Sequence, residues 1–107
     1  MAADLFFAVA DPTRRRLLDL LRGGGLSVGE LVAQVVIAQA GVSRHLRILE
    51  DAGFVTARAD RQRRIYSLNS EPFDRLDAWT RRYKDALESR LDRFANVVKE
   101  KPSKVKP

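Results

Sequence analysis

The chain contains no cysteine, one histidine, one tryptophan and one methionine in 107 residues. Without cysteine there are no disulfide staples and no thiolate metal sites. A single histidine leaves little for a zinc or other imidazole-based centre. No G-x-S-x-G elbow and no phosphate loop with a lysine occur, and the glycine-rich "RGGGLS" reads more simply as a link between two helices, so an enzyme is not expected. The longest apolar run, Leu31 to Ala38 and broken by Gln34, is far shorter than a membrane span. The start "MAADLFF" has neither a basic n-region nor a cleavage pattern, so a cytoplasmic location without membrane attachment is expected.

What remains is a chain with 45% hydrophobic and 32% charged residues, suited to one globular domain. Its net charge of +6 favours an anionic partner. The excess is not concentrated in either part of the chain, since residues 1–70 and 71–107 each carry ten Lys/Arg against seven Asp/Glu. It is local instead. Arg44 and Arg47 fall in an acid-free stretch from Ala38 to Leu49, and Arg58, Arg61, Arg63 and Arg64 surround the lone Asp60.

Apolar spacing divides the chain into helices. A short one is predicted from Asp4, with Leu5, Phe6 and Val9 apolar. A second follows, capped by Asp11, with Pro12 in its first turn and Leu17, Leu18 and Leu21 as its buried stripe, ended by the three glycines from Gly23. "LSVGELVAQ" opens a third through a reciprocal cap between Ser27 and Glu30. A turn at Val35 to Ile37 leads to a fourth helix, where Val42, Leu46 and Leu49 repeat on one face and Gly53 closes the end. Val36 and Ile37 are expected to pack in the core under that turn. "FVTARAD" and "RRIYSLN" predict a β-hairpin. "SEPFDRLDAWTRRYKDALESRLDRFANVVKE", from Ser70, reads as one long helix of about 25 to 30 residues, with Phe73, Leu76, Trp79, Tyr83, Leu87, Leu91, Phe94 and Val98 three or four apart. The domain is expected to cover residues 1–98, and the basic residues 99–107 to form a disordered tail.

Two short helices joined by a tight turn, then a basic hairpin, describe a winged helix-turn-helix, mainly α with a β-hairpin wing. On the exposed side of the fourth helix lie Gln39, Ala40, Ser43, Arg44 and Arg47. Gln39 has the donor–acceptor pair that suits adenine, Arg44 the fork that suits guanine, and Ser43 reaches a base edge or a phosphate. Ala40 and Gly41 are small enough for close approach of the backbone to double-stranded DNA. His45 has two readings: a structural packing role, which is favoured, or a pH-dependent one beside Arg44.

The segments "ADPTRRRLLDLL", "LSVGELV", "AQAGVSRHLRILEDAGFV" and "RRIYSL" together resemble the ArsR/SmtB family of winged-helix transcriptional repressors, over roughly residues 5–70. "DRLDAWTRRYKDALESRLDRF" resembles the last helix of a branch lacking metal ligands. The resemblance implies a recognition helix carrying Gln39, Ala40, Ser43 and Arg44, and a wing carrying Arg58, Arg61, Arg63 and Arg64. It implies a homodimer built by the first and last helices through Leu5, Phe6, Trp79, Tyr83 and Leu87, bound to a pseudo-palindromic operator. No cofactor or metal is implied, and no small-molecule effector is named. The chain departs from the pattern at Ala38, where a capping Ser or Thr is usual, at Val36, Ala40 and Gly41, and at Arg61, where the wing usually turns on glycine. Two rivals stand beside this reading: a winged-helix module for protein–protein contact, which would not need arginines on both wing and recognition helix, and an architectural protein that binds DNA without regard to sequence, for which Gln39 and Ser43 would be dispensable.

Overall fold

A computed structural model of the chain describes the backbone of residues 4–105 and the side chains of residues 4–98. Helix α1 (Leu5–Ala10) starts at Asp4, whose carboxylate accepts from the Phe6 amide at 3.1 Å. Helix α2 (Pro12–Leu20) follows after one residue, with Asp11 accepting from the Arg14 amide at 3.0 Å and Pro12 at a position where a missing N–H costs nothing. As expected, Leu17 and Leu18 are buried, and so is Leu21 in the 3-10 turn Leu21–Gly23.

So short a helix as α1 leaves its last four carbonyls without intrahelical partners. Two arginines of α2 supply the donors. Arg14 donates from Nη2 to the Phe7 oxygen at 2.9 Å and from Nε to the Ala8 oxygen at 2.7 Å. Arg15 donates from Nη1 to the Val9 and Ala10 oxygens, at 2.7 and 3.0 Å. The "TRRR" run is therefore a C-terminal cap for the helix before it, and its charge also complements that end of the helix dipole.

Strand β1 (Leu26–Ser27) precedes α3 (Val28–Val32), and the Ser27–Glu30 capping box forms in both directions, at 2.9 and 3.2 Å. Helix α4 (Gln39–Asp51) ends at Gly53, whose φ of +84° suits glycine. Strands β2 (Val55–Asp60) and β3 (Arg63–Leu68) form the predicted hairpin, closed by the pair Asp60 and Arg63 around Arg61 and Gln62. The sheet has a third strand, which the sequence did not announce. β1 pairs antiparallel with β3, Leu26 opposite Tyr66 and Ser27 opposite Ile65, in the order β1-β3-β2. Two residues are too few to show alternation. Gly25 permits this approach, because a Cβ there would lie 2.7 Å from Ile65 Cγ2 and 2.8 Å from Ser67 Oγ.

Helix α5 (Glu71–Val105) has helical backbone beyond residue 98, where the tail was expected to begin; the tail's side chains, and residues 106–107 altogether, lie outside the described residues. The chain divides into two compact units, residues 1–74 and 75–107. In the first, Leu17, Leu21, Leu31, Val42, Leu46, Leu49, Phe54 and Val55 form the core. Phe73, itself exposed, meets the core residue Phe54 edge-on, ring centres 5.0 Å apart. In the second, none of the described side chains is buried.

Gly25→Ala is expected to lower stability by about 1–3 kcal/mol through overpacking against β3. Gly23→Ala, with nothing within 4 Å of its added carbon, should be close to neutral. Urea unfolding of the two variants checks this; equal midpoints would show that β1 does not hold against β3.

Candidate nucleic-acid interface

Val42, Leu46 and Leu49 are wholly buried, and this fixes which side of α4 faces water. Gln39, Ala40, Ser43, Arg44 and Arg47 are all exposed on it. No side chain caps the helix: Ala38 has extended geometry (φ −68°, ψ 158°) and offers no acceptor, so the first-turn amides stay open to solvent or a ligand.

The turn before α4 corrects two expectations. Val36 is not a core residue; it is fully exposed, at 103% of its reference area. Bonds from the Gln34 amide to the Leu31 oxygen and from the Val35 amide to the Val32 oxygen close the turn tightly, and the apolar anchors become the half-buried Val35 and Ile37. Gly41 is half-buried rather than on the outer face. A Cβ there would meet Ile37 Cδ1 at 3.4 Å, so its small size serves the turn.

The wing arginines fall into two groups. Arg63 pairs with Asp60 at 3.4 Å and reaches Glu30 at 4.0 Å, while Arg64 lies 3.8 Å from Glu50 of α4 and 6.0 Å from the Tyr66 ring centre. Arg44, Arg47, Arg58 and Arg61 make no ion pair among the described residues. Arg61 takes the turn position that glycine usually fills, with φ +61°, a conformation that costs a non-glycine residue roughly 1 kcal/mol. Between α4 and β3 lies an open hollow of about 480 Å³, lined by Ser43, Arg47, Glu50, Asp51, Arg64 and Tyr66. It carries the exposed polar surface from the helix to the sheet.

Two carboxyls nearby are held below their ordinary range. Asp11 is lowered first by the hydrogen bond from the Arg14 backbone, and Glu30 first by that from the Ser27 backbone. His45 does not join the outer face; its Nδ1 lies 3.1 Å from Arg14 Nη1. Of the residues expected at a dimer contact, Leu5 is buried, whereas Phe6, Trp79, Tyr83 and Leu87 are exposed. Phe7, which the spacing did not single out, is 56% exposed. Arg14 and Arg15 were missed as well, since no local pattern marks an arginine that caps the preceding helix. Among the described residues, no cluster of three or more His, Asp or Glu side chains could hold a metal, and no helix is long and apolar enough to cross a membrane.

A short helix pair with an outward polar face, beside a three-stranded sheet with a basic turn, defines a helix-turn-helix protein of the winged type. Residues 9–58 match the family described as a Helix-turn-helix domain. The chain is 39% identical over 67 residues to the transcriptional repressor SdpR of Bacillus subtilis (strain 168), covering 63% of this chain and 74% of that protein. It is 40% identical over 62 residues to the HTH-type transcriptional regulator Rv2034 of Mycobacterium tuberculosis (strain ATCC 25618 / H37Rv), covering 58% of each. The crystal structure of an ArsR family transcriptional regulator, RHA00566, superposes with a TM-score of 0.73 at 32% identity, over 78% of this chain and 92% of that one. The chain belongs to the ArsR family of DNA-binding transcriptional regulators.

Ala38→Ser restores the absent cap and is expected to raise stability by about 1 kcal/mol. Denaturant midpoints, with amide exchange at Ala40 and Gly41, test this. An unchanged midpoint would mean that these amides already have partners.

Proposed function

We propose that the protein is a sequence-specific repressor that binds a pseudo-palindromic operator as a homodimer, with one copy of α4 in each of two successive major grooves. The observation that carries this is the outward row of Gln39, Ser43 and Arg44 above the fully buried ridge of Val42, Leu46 and Leu49. In the groove, Gln39 reads adenine, Arg44 reads guanine, and Ser43 takes a base edge or a phosphate. Ala40 lets the backbone approach, and Arg47 meets the phosphates. From the wing, Arg58 and Arg61 reach the backbone or the minor groove. Arg63 and Arg64 contribute less per residue, because each must exchange a carboxylate for a phosphate.

The second copy covers two apolar surfaces, one on α1 (Phe6 and Phe7) and one on α5 (Trp79, Tyr83, Leu87 and the apolar positions beyond them). A helix with an exposed apolar stripe and no buried side chain between residues 75 and 98 gains most of its stability from a partner. Residues 1–98 form the DNA-binding and dimerising part, and 99–107 a basic tail that adds attraction without sequence preference. Repression follows from occupying the operator and excluding polymerase in the cytoplasm; the relative SdpR is named a repressor.

A duplex enriched by this protein from a random-sequence pool, set against random competitor across a salt series, tests the reading. Retention of the enriched duplex supports specific recognition. A steep salt slope without preference would make the protein architectural, and no binding at moderate salt would make it an interaction module.

Arg44→Ala should weaken binding to the enriched duplex by about 1–3 kcal/mol and relax its sequence preference, whereas Arg58→Ala should weaken enriched and random duplexes alike and flatten the salt slope by about one. Equal loss on both duplexes for Arg44→Ala would assign that residue to phosphate. Leu87→Glu should give monomers by analytical ultracentrifugation, with much weaker DNA binding; an intact dimer would refute the α5 interface.

A further inference from the structure

His45 is the only histidine of the chain and lies on the recognition helix, yet its side chain is only 20% exposed. Its Nδ1 is 3.1 Å from Nη1 of Arg14. A guanidinium has donors only, so Nδ1 accepts, and the proton of the neutral ring resides on Nε2. Nε2 faces Asp11 Oδ2 at 4.0 Å, the same oxygen that takes the Arg14 amide. Arg14 is itself buried, at 6%, bound to the Phe7 and Ala8 oxygens, with its guanidinium carbon 4.9 Å from the Phe7 ring centre. One guanidinium therefore joins the last turn of α1, the first turn of α2 and the middle of α4.

We propose that His45 is a positioning residue for DNA recognition, its neutral ring and Arg14 together forming a proton-sensitive pin that holds α4 against α1 and α2. The proposal rests on the DNA-binding reading above. A second proton, taken from solvent onto Nδ1, replaces the acceptor with an N–H aimed at the N–H of Arg14, and sets two cations 3.1 Å apart. Arg14 cannot withdraw without leaving the Phe7 and Ala8 carbonyls without its donors, which is costly for the buried Ala8 bond. The contact with α4 yields instead.

The charged groups set against the ring are Asp11, the cap of α2, and Arg14 in its first turn. α1 offers carbonyls only. α3 brings Glu30, bound to Ser27 and near Arg63, and β2 brings Arg58 and Asp60, the latter bound to Arg63. On α4 itself, Arg44 and Arg47 are exposed. Imidazole is the side chain that changes charge between roughly pH 5 and 8. Acidification therefore loosens α4, and Gln39, Ser43 and Arg44 lose their fixed placement.

Because the chain holds a single imidazole, its nitrogen NMR signals are unambiguous. At about pH 7.5 they are expected to show a neutral ring protonated at Nε2. A neutral ring protonated at Nδ1 overturns the pin whatever the protein binds. Fluorescence anisotropy with the enriched duplex, at constant ionic strength, then reads the consequence. Wild-type affinity should fall about tenfold between roughly pH 7.5 and 5.5. His45→Gln should stay level, since its amide oxygen accepts from Arg14 but takes no proton. Equal pH profiles, or tighter wild-type binding in acid, overturn the proposal. Should the variant not fold, amide exchange along α4 in the wild type decides: faster exchange on acidification, after correction for intrinsic rates, supports the pin, and unchanged protection overturns it. A random pool that yields no preferred duplex would defeat the DNA reading, and the imidazole signals and α4 exchange would still judge the pin.

Discussion

The structure depends on the rotation of α4 about its own axis, and burial of Val42, Leu46 and Leu49 sets that rotation. Neighbouring residues on a helix lie about 100° apart, from 3.6 residues per turn, so a slip of one position would turn apolar side chains into water and polar ones into the core. Truncating such a buried leucine costs about 2–5 kcal/mol, more than the loss of a single exposed contact on the outer face. The ridge thus decides where Gln39, Ser43 and Arg44 point before any DNA is present. Gly41 lies against Ile37 and brings the turn onto the start of the same helix.

Much of this was legible in the sequence because its signals are local. The Ser27–Glu30 box, the Asp11–Pro12 start, the i, i+4, i+7 ridge and the glycine at position 53 each act within one or two turns, and each forms where the pattern placed it. What escaped involves partners far apart in the chain. Arg14 and His45 are separated by 31 positions, and nothing near either announces the other. Strand β1 exists because Gly25 lets the backbone come close to Ile65 and Ser67. The exposure of Val36 follows from how the turn closes, and residue hydrophobicity alone pointed the opposite way.

The basic charge is divided by use rather than by region. Arg14 and Arg15 complete a helix end, and Arg63, Arg64 and Arg81 face carboxylates. Arg44, Arg47, Arg58 and Arg61 are the cations of α4 and the β2–β3 hairpin without ion pairs among the described residues. Membership of the ArsR family gives this division its meaning, because a DNA-binding regulator needs positive groups not already satisfied internally. The uncapped start of α4 fits the same economy, since open amides at a helix N-terminus favour a nearby anion.

The absence of native cysteine permits a direct test of whether the outer face of α4 meets DNA. Single cysteines placed at Gln39, Ser43 and Arg44 are expected to react quickly with a maleimide in the free protein and to be protected once the enriched duplex is added. Slow reaction in the free protein, or rates that the duplex leaves unchanged at all three positions, would contradict the placement of that face in the groove.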